Sequence, residues 1–394
     1  MLHQQNRQRL YSSAGGQLIV LAGYDAMQQS GDMAAPFLQE STFWWATGIE
    51  RPGWKVILDT ARGHATLVRP KRSDVDIIFN GESDDKEVAD VSGITDIISE
   101  KEFESRLRQL HRKHAVVQTL NPKQSHEFVL NPAGQSLHGA LKRIFDSVQH
   151  CDALLNELKA IKQPEELERM RAAAKLTCAV FAEVREKLDE LKTESEVEAE
   201  FIYRFHRAGA KHAYEPIVAS GANACTLHYG ANRDKLRSRD LLLIDIGARV
   251  EGYSADITRT YCLNPTKRQR AVHAAVEKAE QDIIALIAPG LPIAEYIDSV
   301  DQIMKQALHG LGLLNDMNDQ EAYRKYFPHA ISHGLGIDTH DSLGRPRYLE
   351  PGMVLTVEPG IYIPEEGIGV RIEDEVLVTA TGYENLSAML PTGL

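Results

Sequence analysis

The sequence predicts an α+β protein of two domains, and three observations carry that expectation. The chain has 394 residues, well beyond the roughly 150 of an ordinary single domain. Its texture changes near residue 157, from short β-rich runs among polar segments to long helical stretches. Beyond that point helices and hairpins alternate, which marks an α+β domain with a largely antiparallel sheet. The expected division is a smaller α/β domain over residues 1–156 and a larger domain over 157–394, without a solenoid-like repeat.

In the first part, LIVLAG (18–23), STFWWATG (41–48), WKVILD (54–59), ATLV (65–68) and VDIIF (75–79) read as strands, bounded by Gly, Pro, Asn and Asp. EKEFESRLRQLHRKH (100–114) has helical spacing. In the second part a long helix begins at Pro164, whose fixed φ suits a first turn, with Glu165 and Glu166 at its positive end. Further helices are expected over 195–209 and from about 266 to 288. Between and after them DLLLIDIGARV, YSADITRTY, MVLTVEPGIYI and GVRIEDEVLV read as strands.

Composition is that of a globular protein, 43% hydrophobic and 25% charged. A net charge of −12 excludes a field that gathers nucleic acid or acidic membranes. Four cysteines, Cys151, Cys178, Cys225 and Cys262, lack CxxC or zinc-ribbon spacing and read as reduced thiols. The N-terminal region has no signal-like apolar segment, so a soluble, cytoplasmic protein with no membrane partner is expected.

The chemistry concentrates in "IDIGARVEGYSADITRTY" (244–261), where Asp245 and Asp256 interrupt two β-rich arms. With a turn centred between Val250 and Glu251, the two carboxylates become direct cross-strand partners, Cβ atoms roughly 4.5–5.5 Å apart. Exposed acids are the usual reading of such a pair. Here LLLI leads straight into Asp245 and predicts a buried strand, where like charges call for a proton or a bridging cation. A second acidic pair follows: Glu358 ends MVLTVE, and period two places Glu373 on the same face as Arg371. An ion pair at the surface is the plainer account of that pair alone.

Histidines gather in "FPHAISHGLGIDTHD", namely His329, His333 and His340, with His228 in "SGANACTLHYGAN". Gly334 and Gly336 would allow close backbone approach to a ligand. An oxygen-rich donor set of this kind suits Mn²⁺, Co²⁺ or Zn²⁺. Bridging carboxylates suit two such ions, which can share a hydroxide and polarise a carbonyl for amide hydrolysis. Competing motifs are weak: GYSAD lacks the last glycine of a nucleophile elbow, and no P-loop or HExxH is present.

These blocks, "DIG…GYSADITRTY", "ISHGLGIDTHD", "LEPGMVLTVEPGIYI" and "GVRIEDEVLV", resemble in order and spacing the proline-specific metallopeptidases of the pita-bread fold, the group of prolidase and aminopeptidase P. The resemblance spans most of 157–390 and extends more loosely, through STFWWATG, to the first domain. It implies a creatinase-like N-terminal domain, a catalytic pita-bread domain, two divalent metals with manganese favoured, and a homodimer in which the STFWWATG strand lies near the partner's site. It assigns Asp245 to one metal, Asp256 and Glu373 to bridging, and His333 with Glu358 to completing the sites. Glu358 would also serve as general base and proton shuttle. His228 and His340 would hold the scissile carbonyl, a form of oxyanion stabilisation. His329 and Arg371 would line the proline side, Arg371 binding a substrate carboxylate with its planar fork.

All five ligand positions carry the expected residue type, against a metal-free, creatinase-like or merely binding relative. Only six residues, Pro364 to Gly369, separate EPGIYI from VRIED, as in compact prolidases. On that ground the expected activity is Xaa-Pro dipeptidase, with aminopeptidase P acting on longer peptides as the alternative.

Overall fold

In the computed structural model, which describes residues 1–81, 84–122 and 131–394, the run LIVLA forms a fully buried strand, β1 (Leu18–Ala22). Burial on both faces explains why it is continuously apolar rather than alternating. It pairs antiparallel with β2 (Lys55–Asp59), which pairs with β3 (His64–Arg69). The parallel strands β4 (Ile97–Ser99), β5 (Val116–Thr119) and β6 (Ser147–His150) complete a six-stranded sheet in the order β4-β3-β2-β1-β5-β6. Phe103 and Leu107 of helix Glu100–His111 and Leu137 and Leu141 of helix Pro132–Lys142 pack on it. These elements belong to the first of two units, Met1–Leu158 and Lys159–Leu394.

Two strands expected here are helices instead. STFWWAT forms helix Ser41–Thr47, because the Glu40 carboxylate accepts the backbone N–H groups of Thr42 and Phe43. All seven residues of the helix are buried, so no helical periodicity shows. VDIIF lies in helix Asp74–Asn80, where the Ser73 hydroxyl accepts the N–H of Asp76 and two aspartates occupy the first turn. In both cases the cap outweighs the β propensity of the aromatic and branched residues.

The second unit begins its long helix at Pro164–Arg185. Gln163 and Glu166 cap one another, and Met170, Ala173, Ala174, Thr177, Phe181 and Val184 form the buried stripe. Helix Glu194–Arg207 adds Val197, Phe201 and Phe205 at four-residue spacing. Helices Lys267–Ile284 and Ile293–Gly310 line a second core; the latter, for which the sequence had suggested nothing, turns Tyr296, Val300, Met304 and Leu308 inward.

The strands are β7 (Lys211–His212), β8 (Ile217–Ser220), β9 (Leu242–Asp245), β10 (Ala248–Val250), β11 (Tyr253–Ser254), β12 (Thr258–Tyr261), β13 (Val354–Val357), β14 (Gly360–Ile363), β15 (Ile368–Arg371), β16 (Asp374–Val378) and β17 (Tyr383–Asn385). They pair antiparallel in small sheets ordered β11-β10-β7, β12-β9-β8, β13-β16-β17 and β14-β15.

The register of the aspartate hairpin differs from the expected one. Glu251 and Gly252 both take positive φ, 46° and 86°, so they are the two central residues of the turn. Asp245 therefore faces Thr258 rather than Asp256. The shift is by two residues, and a side chain keeps its face under such a shift, so the two aspartates are diagonal neighbours. Between β9 and β10 the ladder breaks at Gly247, where a Cβ would stand 1.7 Å from the Ala255 carbonyl oxygen; only glycine fits.

Candidate metal centre

Each acidic side chain of the site sits at the end of a strand or at a break between two. Asp245 ends β9, Asp256 lies between β11 and β12, Glu358 follows β13, and Glu373 joins β15 to β16. Backbone pairing sets their positions: Glu373 N–H donates to the Thr258 carbonyl at 3.0 Å, and Glu358 N–H to the Ile331 carbonyl at 3.0 Å. His333 is fixed against β13, its carbonyl accepting from Thr356 N–H and its own N–H donating to the Thr356 hydroxyl.

These residues line one cavity of about 480 Å³ together with His228, His329, His340 and Arg371. Three overlapping sets of donor atoms lie within 4.8 Å of one another: Asp245, Asp256 and Glu373; His333, Glu358 and Glu373; and Asp256, His333 and His340. The structure thus brings every residue singled out from the sequence to one place. His228 and His340 are exposed at its surface, whereas Asp245, Asp256 and Glu373 are buried.

The electrostatics show what the cavity lacks. Burial, then repulsion from Asp256, Glu358 and Asp245, raises the Glu373 carboxyl well above its ordinary range. Burial raises Glu358 to about 7 against the pull of His333 and Arg371, and Asp245 is raised by burial despite Arg371. For His333 burial is outweighed by Asp256 and Glu358, which push it up to about 9. Protons here stand in for missing positive charge.

Tautomers support the same reading. His333 Nδ1 faces the Gly334 carbonyl at 3.0 Å and must donate to it, which turns Nε2 toward Asp256 and Glu358 at 3.4 and 3.5 Å. A backbone carbonyl that fixes one ring nitrogen and frees the other for a cation is the usual arrangement around a metal. The donor set and its unbalanced charge therefore fit divalent cations. His329 differs: burial lowers it to about 4, its Nδ1 donates to the Ala330 carbonyl, and Nε2 accepts the Tyr362 hydroxyl at 2.9 Å.

Arg371 lines the cavity as expected and is also bonded within the protein. Its Nε donates to Thr258 Oγ1, its Nη1 to the Tyr362 hydroxyl, and its Nη2 to Asp245. Each of the three nitrogens has one partner inside the protein and the residue is 5% exposed, so the guanidinium braces Asp245 while a second N–H on each Nη stays uncommitted at the cavity wall.

Two tyrosines escaped the sequence reading. Tyr214 places one hydroxyl 2.5 Å from Asp245 Oδ1 and 2.6 Å from Asp256 Oδ1, and Tyr362 joins His329 to Arg371. Tyr214 lies in a loop with no flanking motif. Tyr362 stands in GIYI, where it reads as an ordinary strand aromatic.

A cavity of facing carboxylates and one tautomer-fixed histidine, built on broken antiparallel strands, defines a metal-dependent hydrolase. Comparison with known proteins gives the family. The model described as metallopeptidase family M24 matches residues 168–380, and that described as aminopeptidase P, N-terminal domain, matches 3–118. Xaa-Pro aminopeptidase of Escherichia coli (strain K12) is 34% identical, covering 98% of this chain and 94% of the relative. Xaa-Pro aminopeptidase 3 of Homo sapiens is 31% identical, covering 96% and 80%. The solved structure of aminopeptidase P from E. coli in its low-pH form superposes with a TM-score of 0.89 at 31% identity, covering 99% of this chain and 95% of the other.

The chain belongs to metallopeptidase family M24. It is a metal-dependent peptidase of the pita-bread fold, aminopeptidase P-like, with an aminopeptidase P N-terminal domain ahead of the catalytic one. The relatives correct the expectation of a dipeptidase, since the Escherichia coli and human proteins that match over nearly the whole chain are named Xaa-Pro aminopeptidases. The short connection that prompted it is a hairpin turn, Pro364–Gly367 between β14 and β15, and none of it lines the cavity. Among the described residues no helix is long and apolar enough to cross a membrane.

Proposed function

We propose that the protein is a Xaa-Pro aminopeptidase, releasing the N-terminal residue that precedes proline from peptides longer than two residues. The observation that supports this most is the likeness over nearly the whole chain to proteins named Xaa-Pro aminopeptidase, and the bonding of Arg371 is in keeping with it. Arg371 is the sole lysine or arginine among the described residues lining the cavity, and its nitrogens are engaged by Thr258, Tyr362 and Asp245. A dipeptidase must neutralise a carboxylate on the proline itself, and an unpaired buried charge is costly. A longer peptide presents a neutral amide there instead.

Two divalent cations, held by Asp245, Asp256, His333, Glu358 and Glu373, would supply a water-derived nucleophile at neutral pH and polarise the scissile carbonyl. Asp256 and Glu373 belong to overlapping donor sets, which supports them as the shared ligands. Manganese, cobalt and zinc all suit such donors.

Glu358 is the group that moves the proton toward the departing proline nitrogen. It lines the cavity where the nucleophile would form, and Thr356 Oγ1 donates to it at 3.2 Å. His228 and His340 face the cavity as donors to the carbonyl oxygen. His329, held neutral, and Tyr362 shape the proline side.

A peptide panel on the metal-loaded protein tests the reading. Turnover of Ala-Pro-Leu should exceed that of Ala-Pro by about tenfold or more. A dipeptide turned over faster than the tripeptide would refute it.

A further inference from the structure

Beside the cavity lies a buried charge cluster that the chemistry above does not use. Asp341, 6% exposed, is flanked by Lys159 and Lys162, 4% and 5% exposed. Lys159 Nζ lies 3.1 Å from Asp341 Oδ1, and Lys162 Nζ lies 3.4 Å from Oδ2. Lys162 Nζ also donates to the Lys159 carbonyl at 2.7 Å, and Lys162 N–H to the Gly352 carbonyl at 2.9 Å, so the lysine segment is itself anchored. Lys159 Nζ further approaches Asp338 Oδ2 at 3.9 Å.

Taking such charges out of water is expensive, and an apolar substitute of like volume is often as stable. The placement explains their use. Asp338 and Asp341 bracket His340, whose ring packs against that of His333 at 4.4 Å. Across the same loop, Asp341 N–H donates to the Gly334 carbonyl at 2.8 Å, and Ser254 N–H to the Gly336 carbonyl at 2.8 Å. A Cβ on Gly336 would stand 2.4 Å from Asp341 Oδ2 and 2.9 Å from Lys162 Nζ; one on Gly334 would stand 2.5 Å from the Asp341 carbonyl oxygen. Gly336 therefore makes room for the lysine–aspartate cluster, and Gly334 for the Asp341 backbone and the Leu343 side chain.

From this geometry we infer that Lys159, Asp341 and Lys162 form a clamp that positions His340 over the cavity. The clamp members are positioning residues: none lines the cavity, and they act through the loop. His333 depends on them less, because its backbone is independently bonded to Thr356 at both N–H and carbonyl. The inference rests on the proposed function only in the role it gives His340.

The test compares wild type with Asp341→Asn, Lys162→Met and Gly336→Ala in the full chain loaded with Mn²⁺. Gly336→Ala displaces the carboxylate without removing a charge, so it serves where Asp341→Asn folds poorly. With Ala-Pro-Leu as substrate, kcat should fall roughly 10- to 100-fold, as for a catalytic group moved by about 1 Å, while KM and bound metal stay within about twofold. Hydrogen exchange across residues 334–343 should rise in the same variants. Variants that keep wild-type kcat and loop protection, even if they melt earlier, overturn the clamp. Wild type that binds metal but cleaves no Xaa-Pro peptide would instead refute the proposed function, leaving loop exchange to decide the clamp.

Discussion

Glu373 and Asp374 are neighbours in sequence, 2% and 3% exposed, yet their surroundings are opposite. Asp374 is met by Arg259 at 2.6 Å, Asn385 at 2.6 Å and the Ser387 hydroxyl at 2.8 Å, and these partners hold its carboxyl low although burial opposes them. Glu373 has the Thr258 hydroxyl at 2.7 Å and faces Asp245, Asp256 and Glu358, and the nearby Arg371 charge, already bonded to Asp245, does not offset burial and their repulsion. On a strand, consecutive side chains point to opposite sides, and here one side is a finished ion pair and the other an unfinished one. A buried acid with its counter-charge built in holds the fold together. Several buried acids facing one another around one cavity mark where an outside cation belongs.

Five outcomes would break or sharpen this contrast. Asp256→Asn should abolish peptidase activity and sharply weaken metal binding, while leaving the metal-free protein as stable as before, because one repelling charge is gone. Asp374→Ala should do the reverse, lowering stability by about 3–5 kcal/mol by stranding Arg259 and leaving metal per folded chain unchanged; denaturant melts with metal analysis read both.

Metal affinity should climb with pH, since binding displaces protons from Glu358, at about 7, and His333, at about 9. Both groups titrate higher folded than their ordinary values of 4.5 and 6.5. Their contribution to metal-free stability is therefore present at low pH and lost as pH rises through about 7 and then about 9. Melting temperatures of metal-stripped protein between pH 5 and 9 check the sign. Tyr214→Phe should have the smallest effect, about tenfold in metal affinity, measured by competition with a chelator.

How much of this was legible in the sequence varied with how local the signal was. Pro164, Gln163 and Glu166 announce a helix start by their own chemistry. The donor residues stood out because acids ending apolar runs are unusual. The hairpin register was missed by two positions because it depends on Glu251 adopting positive φ, a conformation rare for a non-glycine residue. Arg169, which bonds the Glu251 carbonyl at 3.2 Å, is 82 residues away and invisible to local pattern. The helices at Ser41–Thr47 and Asp74–Asn80 were hidden by apolar composition, and their caps are single residues. Arg371 could be placed at the site but not given its partners, since Asp245, Thr258 and Tyr362 converge on it only through the fold. The same holds for Tyr214 and for the lysines around Asp341.

The most direct test of the central claim, that the carboxylates around Glu373 await divalent cations and cleave peptides with them, is a calorimetric titration of Mn²⁺ into metal-stripped protein. Cleavage of Ala-Pro-Leu would be followed in the same samples. The account predicts binding with release of protons and a rise in cleavage that tracks occupancy, both lost in Glu373→Gln. Undiminished cleavage by the stripped protein, or Mn²⁺ binding that Glu373→Gln leaves unchanged, would contradict it.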